Sequence, residues 1–495
     1  MDKDSSYKKT LKSTAVFGGA QAIQMLITIL RAKLIAVIFG SHGMGINAIF
    51  QSTISIISSF SSFGIFQSAV RDISQEFENG DEKKLSRINL IFNRMVWAVG
   101  CFGLLVCLFG AFWLSKIAFQ NFDYSIHFLI LSLGIFFSAL SNGQTVFLQG
   151  TRNLTALAKA SIVGAFLSLL ISIPLFYYFG ILGIAISIAS GSLILYITQY
   201  YLTRKIKLDK TINLTVKETI AAGKPILKLG TVLMLGMVIL TGFTYLTNIF
   251  IGRYGKIADV GFFQGISSIT TQSIAIVIAV LASDFFPRLS AIFQDRQKVK
   301  VMVNQQAELV SLIIAPISVI LITAAPIIVK VLLSKEFLIM VPMLRLLALS
   351  LLARGIWLIM SYVILANGDK KAYLIYDSLI GNGLLFICNV FAYKVWGLNG
   401  LAISSLIASI GISVILMTVV KIKYGFGFDK GFIKIFFMLI LLAVSAYFGV
   451  YVLKGWPQYS FSFFLGILTF GYSLFILNKR IGILNRVKSF LESKN

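Results

Sequence analysis

The chain has 495 residues, of which 57% are hydrophobic and only 13% charged, with a mean hydropathy of +0.88. That charged share is about half of the usual share in soluble domains, so most of the chain needs lipid as its solvent. The formal charge of +25 would suggest nucleic acid in a soluble protein; here the basic residues lie in short segments between apolar runs, which fits membrane topology and anionic headgroups instead.

Fourteen apolar stretches of spanning length follow one another, near 14–40, 44–70, 89–113, 124–148, 155–178, 181–203, 226–252, 258–283, 307–330, 338–365, 371–393, 398–420, 432–452 and 459–478. A helix needs about 20 residues, each rising ~1.5 Å, to cross ~30 Å of hydrocarbon. Runs this long and unbroken exclude the short alternating strands of an outer-membrane barrel. The leading segment MDKDSSYKKTLKSTAVF mixes acidic with basic residues and enters an apolar run too long for a signal peptide. Read as alternating loops, one side holds 32 of the 44 Lys and Arg, the other side 7, and the spans 5. This bias predicts a multi-pass inner-membrane protein with both termini in the cytoplasm.

Cys101, Cys107 and Cys388 form no CxxC pair and fit as small apolar helix residues. His42 and His127 are the only histidines, too few for a histidine-rich metal site, so no metal or cofactor is expected. No phosphate-binding GxxxxGK[ST] loop occurs, and no connection is long enough for an enzymatic domain. The chain therefore reads as a non-enzyme with no catalytic residues.

The halves echo each other. GILGIAIS at 180–187 matches GLNGLAIS at 397–404, and FLQGTRN at 147–153 matches ILANGDKKA at 364–372. INAIFQSTISIISS at 46–59 parallels VGFFQGISSIT at 260–270. An offset of about 213–217 residues and an even period of six helices predict two pseudo-symmetric six-helix lobes in one orientation. The expected division is 1–210, 211–425, and 426–495 with two additional helices and a tail. The expected class is an all-α polytopic membrane protein with a cleft between its lobes.

Five cations fall within apolar runs: Arg31, Lys33, Arg94, Arg345 and Arg354. A charge at the centre of a span costs about 2.5–3.5 kcal/mol on insertion scales. Each therefore either lines a hydrated cavity or snorkels to the headgroups. Arg354 lies nearest a midplane, where snorkelling is hardest. Lys33 is two residues from Arg31, about 200° around the helix, so the two cannot share a narrow stripe. No comparable acidic set pairs with them, although Asp284 and Glu308 lie near helix ends and Asp377 lies within a run. A cavity of net positive lining would suit a phosphate or pyrophosphate, which guanidinium groups grip in bidentate fashion. Gln51 and Gln264 stand in hydroxyl-rich runs, and either contact sugar hydroxyls or join helices. Asp377 either carries a proton or sodium ion in a coupling cycle or serves a local helix-end role.

The stretches KLIAVIFGSHGMG at 33–45, DVGFFQGISSIT at 259–270, FFPRLS at 285–290 and LLSKEF at 332–337 resemble the polysaccharide flippases of the multidrug/oligosaccharidyl-lipid/polysaccharide exporter superfamily. More narrowly, they resemble the O-antigen translocases and the lipid III flippase of enterobacterial common antigen synthesis. The resemblance covers nearly the whole chain. It implies translocation of an undecaprenyl-pyrophosphate-linked oligosaccharide across the inner membrane by alternating access. Partners implied are that lipid-linked glycan, membrane lipids and polysaccharide polymerase machinery, with no nucleic acid. The resemblance makes Arg354 the first candidate for the pyrophosphate, with Arg31, Lys33, Arg94, Arg345, Gln51 and Gln264 behind it. Lys33 lies inside the matched stretch, whereas Arg31 precedes it. The alternative is a multidrug or organic-cation exporter of the same superfamily, whose cavity should carry acidic residues.

Overall fold

The computed structural model describes residues 3–206, 208, 214–281 and 285–482, with side chains from residue 19 onward except at 225, 228, 229, 232, 233, 276, 279, 280 and 481. Among them there are helices and no strands. The expectations placed on Asp284, Lys207 and Lys210, and on the basic tail with Arg486, Lys488 and Lys494, lie outside the described residues.

In chain order the helices are α1 (Lys3–Ile38), α2 (Gly40–Ser61), α3 (Ile65–Asn79), α4 (Glu82–Phe119), α5 (Ser125–Gly150), α6 (Leu154–Thr203), α7 (Val216–Tyr254) and α8 (Ile257–Val280). There follow α9 (Phe286–Ile292), α10 (Arg296–Thr323), α11 (Ala325–Leu332), α12 (Val341–Ala366), α13 (Lys370–Ala372), α14 (Asn382–Tyr424), α15 (Lys430–Val452) and α16 (Trp456–Ile481). A 3-10 turn at Lys335–Met340 precedes α12, and a π-helical stretch, Tyr373–Gly381, joins α13 to α14. Ten described helical runs are long and apolar enough to cross a membrane, or eleven if α2 and α3, bent by 56°, are one span.

Two of those runs are too long for one crossing, and each breaks at a glycine. In α6, Gly180 has φ +55° and ψ −132°; in α14, Gly397 has φ +59° and ψ −140°. This region is essentially glycine-only. Both runs fold back on themselves there. A Cβ on Gly191 would meet Ser168, and one on Gly164 would meet Leu195. In α14, Ser404 Oγ donates to Asn389 Oδ1 at 2.6 Å. These pairs sit symmetrically about Gly180 and Gly397, so each run is an antiparallel helical hairpin. With the hairpins divided and α8 included, the fourteen apolar segments read from the sequence fall on described helices, the run 258–283 as far as residue 280.

The repeat extends to the turns. Asp81 caps α4 by accepting from Lys84 N, and Asp295 caps α10 by accepting from Gln297 N and Lys298 N. Asn153 caps α6 and Asp369 caps α13, accepting from Ala156 N and Ala372 N. The cap pairs are 214 and 216 residues apart, close to the 217 that separate the hairpin glycines, so equivalent helices begin with equivalent capping chemistry.

One expected span is not straight. The run 44–70 breaks between α2 and α3, where Gly64 has φ +66° and lies against α7. A Cβ on Gly64 would stand 2.0 Å from the carbonyl oxygen of Gly230, so backbone meets backbone at this elbow.

Contacts divide the chain into two units, residues 1–261 and 262–495. The first has a core of Ile65, Ile73, Phe92, Val96 and Phe147. In the second, Ser318 Oγ donates to Ala348 O and Ser413 Oγ to Ala353 O, each at 2.7 Å, tying α12 to α10 and α14. Arg480 of α16 reaches Glu308 of α10 in a bidentate pair at 2.9 and 3.2 Å.

Candidate functional site: a guanidinium-lined cavity

Within the first unit, α1, α2, α5 and the two limbs of α6 border an open-sided cavity of about 460 Å3. Small residues make the space. Gly164 and Gly191 hold the α6 limbs close, and Ser168 and Ser192 add little bulk. Among the described residues on the wall, Arg31 is the only charged side chain, and none is a carboxylate. Its Nη2 donates to Ser187 Oγ at 3.0 Å, while that hydroxyl donates in turn to Ile184 O at 2.9 Å. The remaining guanidinium donors have no protein acceptor among the described residues. A guanidinium carries five donors, so most of its capacity is left for the cavity.

Around it stand Gln24, Asn47 and Gln51, whose side-chain amides make no hydrogen bond among the described residues. Thr28, Ser138, Ser168 and Ser192 complete the polar lining. Thr28 and Ser192 donate to their own helix, to Gln24 O and Ile188 O, and keep lone pairs for a guest. Ser187 is seven residues from the Gly180 turn, about 10 Å along the helix, and Leu195 about 22 Å. The cavity thus extends through the depth where water is scarce and unmatched polar groups cost most. It can hold an anionic, hydroxyl-rich guest, which would satisfy the guanidinium and the amides together.

The other expected site residues are placed as follows. Gln51 joins Arg31 in this cavity, whereas Lys33, Arg94, Arg345 and Gln264 do not line it. Lys33 is half-buried on another face of α1 and has no partner among the described residues. Arg94 is exposed, and its Nη1 donates to Leu214 O at 2.7 Å and Thr219 Oγ1 at 2.8 Å, tying α4 to the start of α7. Arg345 is buried; its Nε donates to Ile322 O at 3.2 Å and its guanidinium stacks 5.2 Å from the Tyr451 ring. It thus closes the last turn of α10, where cations are favoured. Gln264 is half-buried on α8.

Arg354 lies in the second unit, half-buried on α12, with no hydrogen bond or ion pair among the described residues. It shares a helical stripe with Trp357 and Ser361. Those two hold Asp377: Trp357 Nε1 donates to Oδ1 at 2.7 Å, and Ser361 Oγ donates to the same oxygen. Asp377 has no cationic partner among the described residues and sits on the π-helical stretch, a departure that is frequent at functional sites.

The sequence reading missed Gln24, Thr28, Ser138, Ser168 and Ser192. The first two carried a signal, because Gln24, Thr28 and Arg31 recur at i, i+4 and i+7 as a polar stripe in an apolar run. The serines carried none, since serine is common between packed membrane helices. The hydroxyls of α2 and α8 are largely ordinary. Ser55 donates to Gln51 O and Ser268 to Gly265 O, so they cap backbone carbonyls of their own helices.

The sequence profile of the polysaccharide biosynthesis protein family matches residues 34–342, and that of the lipid II flippase MurJ matches 267–470. The fold is shared with the lipid II flippase MurJ in an inward closed conformation, at TM-score 0.70 and 20% identity over 94% of this chain and 99% of that one. It is shared also with a multidrug resistance MATE transporter of the MOP superfamily in its inward-facing conformation, at TM-score 0.69 and 16% identity over 83% and 96%. A further MOP superfamily transporter, from Pyrococcus furiosus and described by the reverse polarity of its binding pocket, matches at 0.61 and 14% over 83% and 94%. No curated protein matches the chain by sequence. The fold therefore defines a multi-pass membrane protein of the MurJ and MATE architecture. The chain belongs to the polysaccharide biosynthesis protein family, whose profile spans more than half of it.

Proposed function

We propose that the protein is a flippase that moves an undecaprenyl-pyrophosphate-linked oligosaccharide, an O-antigen or related surface glycan unit, from the cytoplasmic to the periplasmic leaflet of the bacterial inner membrane. The observation that carries this reading is the cavity around Arg31, whose described wall residues include one cation, no carboxylate and three amides without a partner among the described residues. A headgroup of phosphates and sugars brings the acceptors and donors that such a wall lacks. The prenyl tail stays in lipid, so only the polar group needs a sheltered route. Arg354 is proposed as a second contact for the phosphates, and Asp377 as the carrier of a coupling proton or sodium ion. Transport by alternating access breaks no substrate bond and calls for no catalytic residue. The distribution of Lys and Arg supports both termini in the cytoplasm, and polymerase machinery would receive the product on the opposite, periplasmic side.

An organic-cation exporter would share the MATE architecture, but its cavity should attract cations. A wall whose one charge is Arg31 disfavours that guest. The test is translocation of a defined undecaprenyl-pyrophosphate glycan in proteoliposomes containing the purified protein, with a fluorescent organic cation as the comparison. Glycan movement that depends on Arg31 supports the flippase. Cation efflux without glycan movement refutes it.

A further inference from the structure

On the second unit an apolar groove runs between α12, the second limb of α14 and α15, with a volume of about 580 Å3. Leu352 and Ile356 are buried at its floor, while Ile410, Val414 and Ile433 on its walls are half exposed. The groove is therefore open to the side. Among the described lining residues its one polar group is the Ser413 hydroxyl, whose single proton is shared between Ala353 O and Ser409 O at 2.7 Å each. One hydroxyl, left only as an acceptor, offers a sugar far less than the cavity around Arg31.

Size and position point to a hydrocarbon chain. Ile433 and Val444 both line the groove and are eleven residues apart on α15, about 16 Å along the helix axis. One leaflet contributes about half of a ~30 Å hydrocarbon core, so the groove is one leaflet deep. Apolar cavities of about 150 Å3 accept a six-carbon ring, so a groove of this volume has room for a single long chain and no more.

Charge fixes the other end. Lys421 stands one helical turn beyond Met417, on the same face of α14, and Lys430 one turn before Ile433 on α15. Both are exposed, and neither has an ion pair or hydrogen bond among the described residues. Their neighbours differ: Lys423 pairs with Asp369 at 3.1 Å and Lys300 with Asp429 at 3.0 Å. Two unpaired lysines thus flank the mouth of a groove one acyl chain long.

We propose that this groove holds one resident anionic glycerophospholipid, with an acyl chain along α15 and its phosphate between Lys421 and Lys430. The lipid would fill the space between α15 and the α12–α14 pair, completing packing that the protein leaves open. The experiment is native mass spectrometry of the full-length protein titrated with phosphatidylglycerol, phosphatidylethanolamine or undecaprenyl phosphate. The expected result is one tightly held phosphatidylglycerol, with phosphatidylethanolamine held at least tenfold more weakly. The Lys421→Ala/Lys430→Ala double variant should lose that preference, and Val414→Trp should lose the lipid by filling the groove. Lys298→Ala, an exposed lysine elsewhere, should retain it. Equal retention by the double variant, equal binding of both phospholipids, or displacement by undecaprenyl phosphate at lower concentration would each overturn the proposal. The double variant alters only exposed side chains, so a folding failure of Val414→Trp leaves the test intact.

Discussion

Arg31 Nη2 and Ser187 Oγ, 3.0 Å apart, join α1 to the second limb of the α6 hairpin across 156 residues of sequence. The bond orients the guanidinium along the cavity wall and leaves its other donors directed to whatever fills the space. Replacing Arg31 removes the only cation among the described residues there. Hydrogen bonds to charged groups are worth about 1.5–3 kcal/mol, so Arg31→Ala should weaken headgroup binding tenfold or more. Arg31→Lys should recover part of it, because a point charge lacks the fork. Binding of an undecaprenyl-pyrophosphate glycan to protein in nanodiscs reads this directly, and unchanged affinity in both variants would contradict the assignment.

Arg345 and Arg354 stand nine residues apart on α12 and should behave oppositely. Arg345 is committed to Ile322 O and to the Tyr451 ring. Arg345→Ala should destabilise the fold by about 1–3 kcal/mol while leaving transport per folded molecule near normal. Arg354 has no hydrogen bond or ion pair to lose among the described residues, so Arg354→Ala should keep its thermal stability and insertion but lose glycan surface display. Thermal unfolding in detergent alongside display in cells separates the two; normal display by Arg354→Ala would remove it from the proposed site.

The hairpins make a steric prediction. A Cβ on Gly180 meets nothing within 4 Å, so Gly180→Ala suffers only its backbone conformation, about 1–3 kcal/mol. A Cβ on Gly183 would lie 2.1 Å from Leu175 O, a backbone atom that cannot swing away. Gly183→Ala should therefore be the worse substitution, although its residue is the less conspicuous in sequence. Gly400→Ala should repeat this in α14, where Ala392 O would be 2.0 Å away. Yields of folded protein by size-exclusion chromatography rank them.

Asp377→Asn should preserve the bonds from Trp357 and Ser361, because an amide oxygen accepts as a carboxylate does. If Asp377 carries the coupling ion, this variant should transport at a rate indifferent to an imposed proton or sodium gradient, with stability retained. A gradient response identical to wild type would assign Asp377 to structure alone.

The capping carboxylates set a pH dependence. Backbone N–H groups of Lys84, Lys298 and Ala372 hold Asp81, Asp295 and Asp369 respectively below their usual value of 3.8. Folding thus favours the ionised form, and the caps contribute fully above that value. Their contribution is lost as pH falls through the depressed folded-state values. Thermal stability should hold at about pH 6 and decline towards about pH 3, and the triple Asp→Asn variant should show a shallower decline, since asparagine also caps. An equal decline in both would place the acid sensitivity elsewhere.

Hydropathy, loop charge and the offset between GILGIAIS and GLNGLAIS determined the spans, the repeat and the membrane class, because lipid punishes unsatisfied backbone and only long apolar helices avoid that cost. Composition also exposed Arg31 and Arg354 as charges in the wrong solvent, and the gaps between the runs 155–178 and 181–203 and between 371–393 and 398–420 fall at the hairpin turns. What it could not determine was how each charge is used. Arg31, Arg94 and Arg345 look alike in one dimension, yet one faces a cavity, one ties α4 to α7 and one closes the end of α10. That difference depends on which distant carbonyl or hydroxyl lies within 3 Å, a matter of how helices are rotated and packed. The serines of the cavity wall and the groove beside α15 were likewise decided by tertiary contact, since a gap between helices leaves no mark on any single helix that borders it.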